Sequence, residues 1–393
     1  MRPTYVHHIE TAVPPTCYTQ DEARDRTKEQ IDNRKARRII HRVYNQSGIE
    51  RRYTAVDSFA SETPGLLFAL GDDGKVVVPG TAARNAHFAK ASKGLSVELA
   101  RRTLSQCPGI SPEDVTHVIT VSCTGFYNPG PDYYIVRELG LSATVQRYHL
   151  GFMGCYAAFP ALRMARQFCE ADPNAVVLIV CLELCSLHIQ LEGDKLDSLV
   201  AGSLFADGAA SAIVSARTPT GDLPAYLLQA LHSDLVVSGE KAMTWEIGDH
   251  GFDIVLSSYV PELLGSNIGD LVFPILDQHG VAFEEIDAWA VHPGGRAILD
   301  KVRDGLGLDE ASISASRRIL RDYGNMSSPT ILFVLKALLD DRDRSPDGIT
   351  TAMAFGPGLT VEFALLKRVP AAVGQGTPPG GEVALSVSDS SIA

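Results

Sequence analysis

The chain of 393 residues carries 47 acidic against 35 basic side chains, a formal net charge of −12, with 45% hydrophobic and 21% charged residues. That balance excludes wholesale disorder, and the acidic excess argues against nucleic acid or an anionic membrane as the main partner, because phosphates would be repelled. The seven cysteines (Cys17, Cys107, Cys123, Cys155, Cys169, Cys181 and Cys185) are an odd, irregularly spaced set. A chain of this length needs no disulfide staples, so they read as reduced thiols of a cytoplasmic protein, any of which could be chemically active.

The length suits two or three domains or one large fused α/β body. The N-terminal residues have no apolar core of signal-peptide length, and the most apolar stretch, Ala175 to Cys185, is broken by Glu183. No membrane segment is therefore expected. The first unusual segment runs from Arg34 to Arg52, with seven Lys/Arg and one acid, Glu50. It reads either as a solvated helix face or as a local site for a small phosphorylated ligand.

Further along, helix and strand patterns alternate. Ser96–Cys107 is expected as helix, Val115–Val121 as strand, Pro131–Leu141 as helix, Thr144–Leu150 as strand and Tyr156–Ala171 as helix. Ala175–Leu182 is a continuous apolar run of the kind found in buried strands, and Ala209–Ser215 and Ala225–Leu231 follow as strands. After a mixed region come helix Pro261–Leu276, strand Ile286–Val291, helices Gly295–Leu306 and Ser328–Asp340, and strands Gly348–Ala354 and Thr360–Leu366. Alternation of this kind implies α/β layers around buried sheets. From about Pro370 the chain is rich in Gly, Pro and Ser and reads as a flexible tail.

Four segments have chemical potential. Gly154-Cys155-Tyr156-Ala157 joins a strand to a helix, so Cys155 stands near a helix N-terminus, where partial positive charge favours thiolate. His292-Pro293-Gly294-Gly295 closes a strand, at the end that faces the functional crevice in α/β proteins. Tyr323-Gly324-Asn325-Met326-Ser327-Ser328 places an Asn on a loop opening a helix, where it could equally be an N-cap. Phe355-Gly356-Pro357-Gly358 is a rigid turn that lets backbone approach a cavity wall. A thiol, an imidazole and an amide together suit nucleophilic acyl transfer with oxyanion stabilisation.

This combination, with Thr124-Gly125, Pro129-Gly130-Pro131-Asp132-Tyr133 and Leu204-Phe205-Ala206-Asp207-Gly208, resembles the type III polyketide synthases, the chalcone- and stilbene-synthase-like enzymes and their bacterial and fungal relatives. The similarity spans roughly residues 5 to 368. It implies a thiolase-like α/β fold of five αβαβα layers built from two similar halves, residues 1–217 and 218–368, followed by the tail 369–393, and a homodimer. It also implies Cys155 as nucleophile, with His292 and Asn325 completing a triad, and His292 as imidazolium stabilising the Cys155 thiolate. The substrates would be an acyl-CoA starter and malonyl-CoA, whose decarboxylation gives an enolate that extends the Cys155-bound chain before cyclisation. No metal or redox cofactor is implied.

Phe205 and Phe252 fall where family phenylalanines separate the CoA tunnel from the cavity. Cys123, His188, Met243 and the Gly356-Pro357-Gly358 turn are expected around that cavity. Arg42 matches one family CoA-phosphate position, while Ile39 and Gln46 occupy two others, so Arg37 and Arg38 are substitutes. Cys123, His188 and Met243 depart from the plant pattern and point to an alkylpyrone, a resorcinol or a small phenolic product. The alternative is an initiating ketoacyl synthase of the same fold making one condensation. A papain-like hydrolase is disfavoured, since 154 residues precede Cys155 and the Cys-Gly-Ser-Cys-Trp type of signature is missing. A metal site from Cys181, Cys185 and His188 is disfavoured for want of a fourth nearby ligand.

Overall fold

The computed structural model describes residues 2–56, 59–63, 66–190, 196–257 and 260–370. Among these, nine strands form one continuous sheet in the order Ile286–Val291, Ile349–Gly356, Thr360–Val369, Ala225–Leu235, Tyr5–Ala12, Asp207–Ser215, Val176–Leu184, His117–Ser122 and Gln146–Gly151. Tyr5–Ala12 and Ala225–Leu235 share only two pairs, Tyr5 with Leu227 and Val6 with Tyr226. The sheet therefore divides there into two halves.

The two halves repeat one another. Numbered within each half, the strands run 3-2-4-5-1 in the first and 1-5-4-2 in the second. In both, strands 2 and 4 are parallel, and strands 4 and 5, and 5 and 1, are antiparallel. The second half lacks a third strand. At its place in the chain Asn325 makes a single parallel bridge to Phe205.

Residue alternation builds the layers. Val176, Leu178, Val180 and Leu182 face outward onto helices Thr81–Gln106 and Pro131–Leu139, while Val177, Ile179 and Cys181 face inward. In the second half, Trp289, Val291, Met353 and Phe355 face helices Val260–Gln278 and Arg296–Leu306, and Ala288, Ala290, Ala352 and Ala354 face inward. Between the inward faces lie helices Ala158–Ala171 and Thr330–Leu339. Strands covered on both sides have no polar face, which is why they read as unbroken apolar runs. The result is the expected αβαβα order.

Several elements differ from the sequence reading. The helix expected from Ser96 begins at Thr81; its first half buries Arg84, Phe88 and Ser92, so an apolar stripe is missing although the burial spacing is helical. The mixed region contains a hairpin, Met243–Gly248 with Gly251–Leu256. Helices Gln20–Glu29, Leu196–Leu204 and Ser314–Tyr323 were also not anticipated. Val369, assigned to the tail, closes the last strand, and residues 371–393 of the tail lie outside the described residues.

Candidate active site

Cys155 lies in the turn Gly154–Tyr156 that precedes the central helix Ala158–Ala171. The turn is shaped by close approach. Gly154 has φ +78°, and a Cβ on it would stand 2.6 Å from Pro357 Cδ; a Cβ on Gly356 would stand 2.4 Å from Tyr156 Cδ1. The Gly356-Pro357-Gly358 turn thus packs against the cysteine turn from behind. His292 follows strand Ile286–Val291, anchored by its N–H donating to Met353 O at 2.8 Å. Asn325 occupies the loop before helix Thr330–Leu339 and does not cap it, the N-cap being Pro329.

The three side chains meet in one cavity of about 650 Å³. Asn325 Nδ2 stands 4.0 Å from Cys155 Sγ and donates to Gly294 O at 3.1 Å. Asn325 Oδ1 accepts from the Ser327 N–H at 2.8 Å, which fixes the amide orientation. One of the two amide N–H bonds is thereby used, and the other faces the Cys155 sulfur in a long hydrogen bond that a ligand oxygen could replace. His292 is 1% exposed, and neither ring nitrogen has a partner. Two unsatisfied imidazole nitrogens in a buried cavity are costly, and a ligand accepting from one would relieve that cost.

Burial dominates the electrostatics. It pushes the Cys155 thiol up to about 11, against hydrogen bonds from Ser327 and Asn325 that favour thiolate, and lowers His292 to about 3. Burial thus opposes the charged form of each group taken singly, so a thiolate–imidazolium pair would draw its stability from the attraction between the two charges.

Other anticipated residues distribute unevenly. Phe205, Met243, Cys123 and Pro357 line the Cys155 cavity. Cys123 Sγ lies 3.6 Å from Ser327 Oγ, and burial holds its thiol well above the ordinary value. Phe252 is 2% exposed and is not on the cavity wall; it stacks on His188 with centroids 3.9 Å apart. His188 is tied by Nε2 donating to Thr124 O at 2.7 Å and Nδ1 accepting from the Phe252 N–H at 3.1 Å. It lines a second cavity of about 330 Å³, which shares Phe205, Cys185, Trp245 and Ile254 with the first. Gly356 and Gly358 do not line the Cys155 cavity and act through the turn.

Arg37, Arg38 and Arg42 are exposed on helix Arg34–Gln46, off the cavity wall. The same helix does contribute Val43 and Gln46 to that wall, and Arg42 is one turn from Gln46. The cations on the wall itself are Lys241 and Arg296, which the sequence reading missed. Arg296 could have been suspected from its place directly after His292-Pro293-Gly294-Gly295. Glu183, noticed only as a break in an apolar run, is fully buried and accepts from the Cys123 N–H (2.9 Å), Thr124 Oγ1 (2.8 Å), Ser122 Oγ (3.1 Å) and Ser328 Oγ (2.6 Å). It ties the Cys123 loop to the Asn325 loop, and burial raises its carboxyl to about 7.

A buried thiol, an unpartnered imidazole and an oriented amide face one cavity in a layered α/β body, an arrangement suited to acyl transfer. The comparisons with known proteins give the family. Residues 3–218 match the model for the N-terminal domain of chalcone and stilbene synthases, and residues 227–370 match that for the C-terminal domain. The chain belongs to this family, the type III polyketide synthases, and is an enzyme of the acyltransferase class.

Bisdemethoxycurcumin synthase of Oryza sativa subsp. japonica is 33% identical over 372 residues, covering 91% of this chain and 90% of the relative. The alpha-pyrone synthesis polyketide synthase-like Pks18 of Mycobacterium tuberculosis is 32% identical over 381 residues, covering 93% of each. Among solved structures, PKS-I from the brown alga Ectocarpus siliculosus superposes with a TM-score of 0.84 at 28% identity, covering 94% of this chain and 99% of that one. The 1,3,6,8-tetrahydroxynaphthalene synthase of Streptomyces coelicolor A3(2) gives 0.80 at 27% identity, covering 94% and 100%. Both carry the thiolase-like fold, and the initiating ketoacyl synthase reading is not favoured. Among the described residues no helix is long and apolar enough to cross a membrane.

Proposed function

We propose that this enzyme loads an acyl group from an acyl-CoA starter onto Cys155 and extends it iteratively with malonyl-CoA, and that the chain cyclises in the same cavity. The observation that carries this reading is the convergence of Cys155, the unpartnered His292 ring and an Asn325 N–H facing the sulfur in one mostly apolar cavity. Attack of the thiol on the starter thioester passes its proton to the neutral imidazole, which returns it to the departing CoA thiolate. Malonyl-CoA then binds with its thioester carbonyl toward His292 and Asn325. As the carboxylate leaves as CO₂, negative charge gathers on that oxygen, and the two donors stabilise it as it develops. The enolate carbon attacks the Cys155 thioester and Cys155 leaves as the thiolate, giving a β-ketoacyl-CoA two carbons longer.

Local cations offset the acidic surface and suit CoA phosphates: Lys241 and Arg296 on the cavity wall, with Arg42, one turn from Gln46, and Arg37 and Arg38 on the same helix, form the binding set. The working form is a cytoplasmic homodimer, and this chemistry requires no metal or redox cofactor. Cys123 and Met243 on the wall, and the alpha-pyrone named for the mycobacterial relative, support an alkylpyrone, resorcinol or small phenolic product. The test is incubation with malonyl-CoA and acetyl, medium-chain, long-chain and aromatic acyl-CoA starters, with mass-spectrometric product analysis. Extended products that vanish in Cys155→Ala are expected; no product from any starter would overturn the reading.

A further inference from the structure

One arginine of the basic segment is not at the surface. Arg52 is 3% exposed, on the short strand Arg51–Thr54 that pairs with Thr16–Thr19. Its guanidinium lies over the Tyr18 and Tyr44 rings, 5.3 and 5.6 Å from their centroids. Its Nη1 donates to Gly202 O at 2.9 Å and to Phe205 O at 2.6 Å. These carbonyls stand at the C-terminal end of helix Leu196–Leu204, where unpaired C=O groups concentrate negative partial charge.

The same segment holds the Asn325 backbone. The Asn325 N–H donates to Leu204 O at 2.9 Å, and the Ala206 N–H donates to Asn325 O at 2.9 Å, closing the bridge between Phe205 and Asn325. Arg52 also reaches this loop directly. Gly324 has φ +73°, and a Cβ there would stand 3.0 Å from Arg52 Cγ and Cδ. The guanidinium therefore grips residue 205 while the aliphatic stem packs against residue 324, so Asn325 is supported on both sides.

We propose that Arg52 is a positioning residue for malonyl decarboxylation, holding the Phe205–Asn325 bridge so that the Asn325 N–H that faces Cys155 meets the developing enolate oxygen. The proposal rests on the reading of Asn325 as an oxyanion donor. Its geometric demand is strict, since displacement of such a donor by about 1 Å costs on the order of a hundredfold in rate. Both bonds leave from Nη1, which the rigid guanidinium plane stacked on Tyr18 and Tyr44 holds in place; lysine carries the charge but not that plane, and so replaces the arginine only in part.

The test uses the full chain and two separate readouts: CO₂ release from malonyl-CoA without starter, and acylation of Cys155 by an acyl-CoA followed by intact mass. Arg52→Met retains the stem on Gly324 and removes the guanidinium. It is expected to lower kcat for CO₂ release about tenfold to a hundredfold while acylation changes by less than about twofold, and Arg52→Lys should recover part of the loss. Unchanged decarboxylation, or a parallel fall in acylation, overturns the positioning role. If Arg52→Met fails to fold, Arg52→Lys carries the comparison, and equal effects on the two rates overturn the proposal. A wild-type enzyme that releases no CO₂ from malonyl-CoA instead overturns the proposed function itself.

Discussion

Asn325 Nδ2 stands 4.0 Å from the sulfur of Cys155, although the two residues are 170 positions apart in the chain. At that distance an oxygen bound beside the sulfur can reach the amide N–H, which assigns different steps to different residues. Cys155→Ala is expected to abolish chain extension. His292→Ala and Asn325→Ala are each expected to slow CO₂ release from malonyl-CoA by about a hundredfold to a thousandfold, as loss of an oxyanion donor does elsewhere. The rates can be read from CO₂ release without starter; equal losses in Cys155→Ala and Asn325→Ala would contradict the division of labour.

A thiol raised by burial has a pH signature. With the Cys155 thiol at about 11, its thiolate fraction rises continuously with pH. Alkylation of Cys155 by iodoacetamide should therefore accelerate by nearly tenfold per pH unit from pH 7 to 9. A plateau across that range would mean that a thiolate–imidazolium pair already exists without substrate.

Gly154 and Gly356 form the seam between the cysteine turn and the Gly356-Pro357-Gly358 turn. Gly356→Ala drives a methyl group into the Tyr156 ring, and Gly154→Ala adds a clash with Pro357 to an unfavourable positive φ. Each should cost about 1–3 kcal/mol of stability and displace Cys155. Urea unfolding and extension activity measured on the same preparations would check both effects, and activity should fall even where folding persists.

Glu183 links stability to pH. Its carboxyl is raised from 4.5 to about 7, so the native state binds this proton more tightly than the unfolded chain. The contribution is fully present below about pH 4.5 and is lost as pH rises through about 7, a change of about 3 kcal/mol. Glu183→Gln should flatten the fall in unfolding free energy between pH 4.5 and 7.5. Asp207, raised by burial to about 6, contributes a residual slope in the same direction. The measurement is the pH dependence of urea unfolding in the two proteins.

Arg42→Ala, Lys241→Ala and Arg296→Ala should each raise the malonyl-CoA KM several-fold with little change in kcat, since a phosphate contact far from the reacting atoms is uniform binding. The effect should shrink at high salt. Initial rates at two ionic strengths decide the matter, and an unchanged KM removes that residue from the CoA site.

The sequence by itself determined the class of fold and singled out the candidate residues of the site. Strands covered on both faces are apolar over most of their length, so the run Ala175–Leu182 announced a buried strand, and Cys155, His292 and Asn325 stood beside glycines whose turns are local. What only the tertiary structure decided is anything set by burial or by proximity across the chain. Burial opposes the thiolate at Cys155, because desolvation depends on atoms from both halves. It also separated Arg52, enclosed by Tyr18, Tyr44 and a helix end, from Arg37, Arg38 and Arg42 in solvent, though all four share one basic run. The internal duplication was illegible in side chains and plain in strand order, since backbone pairing constrains topology and leaves sequence free to diverge. His188 and Phe252 moved off the Cys155 cavity for the same reason. Their stacking partner is each other, brought together by the pairing of distant segments.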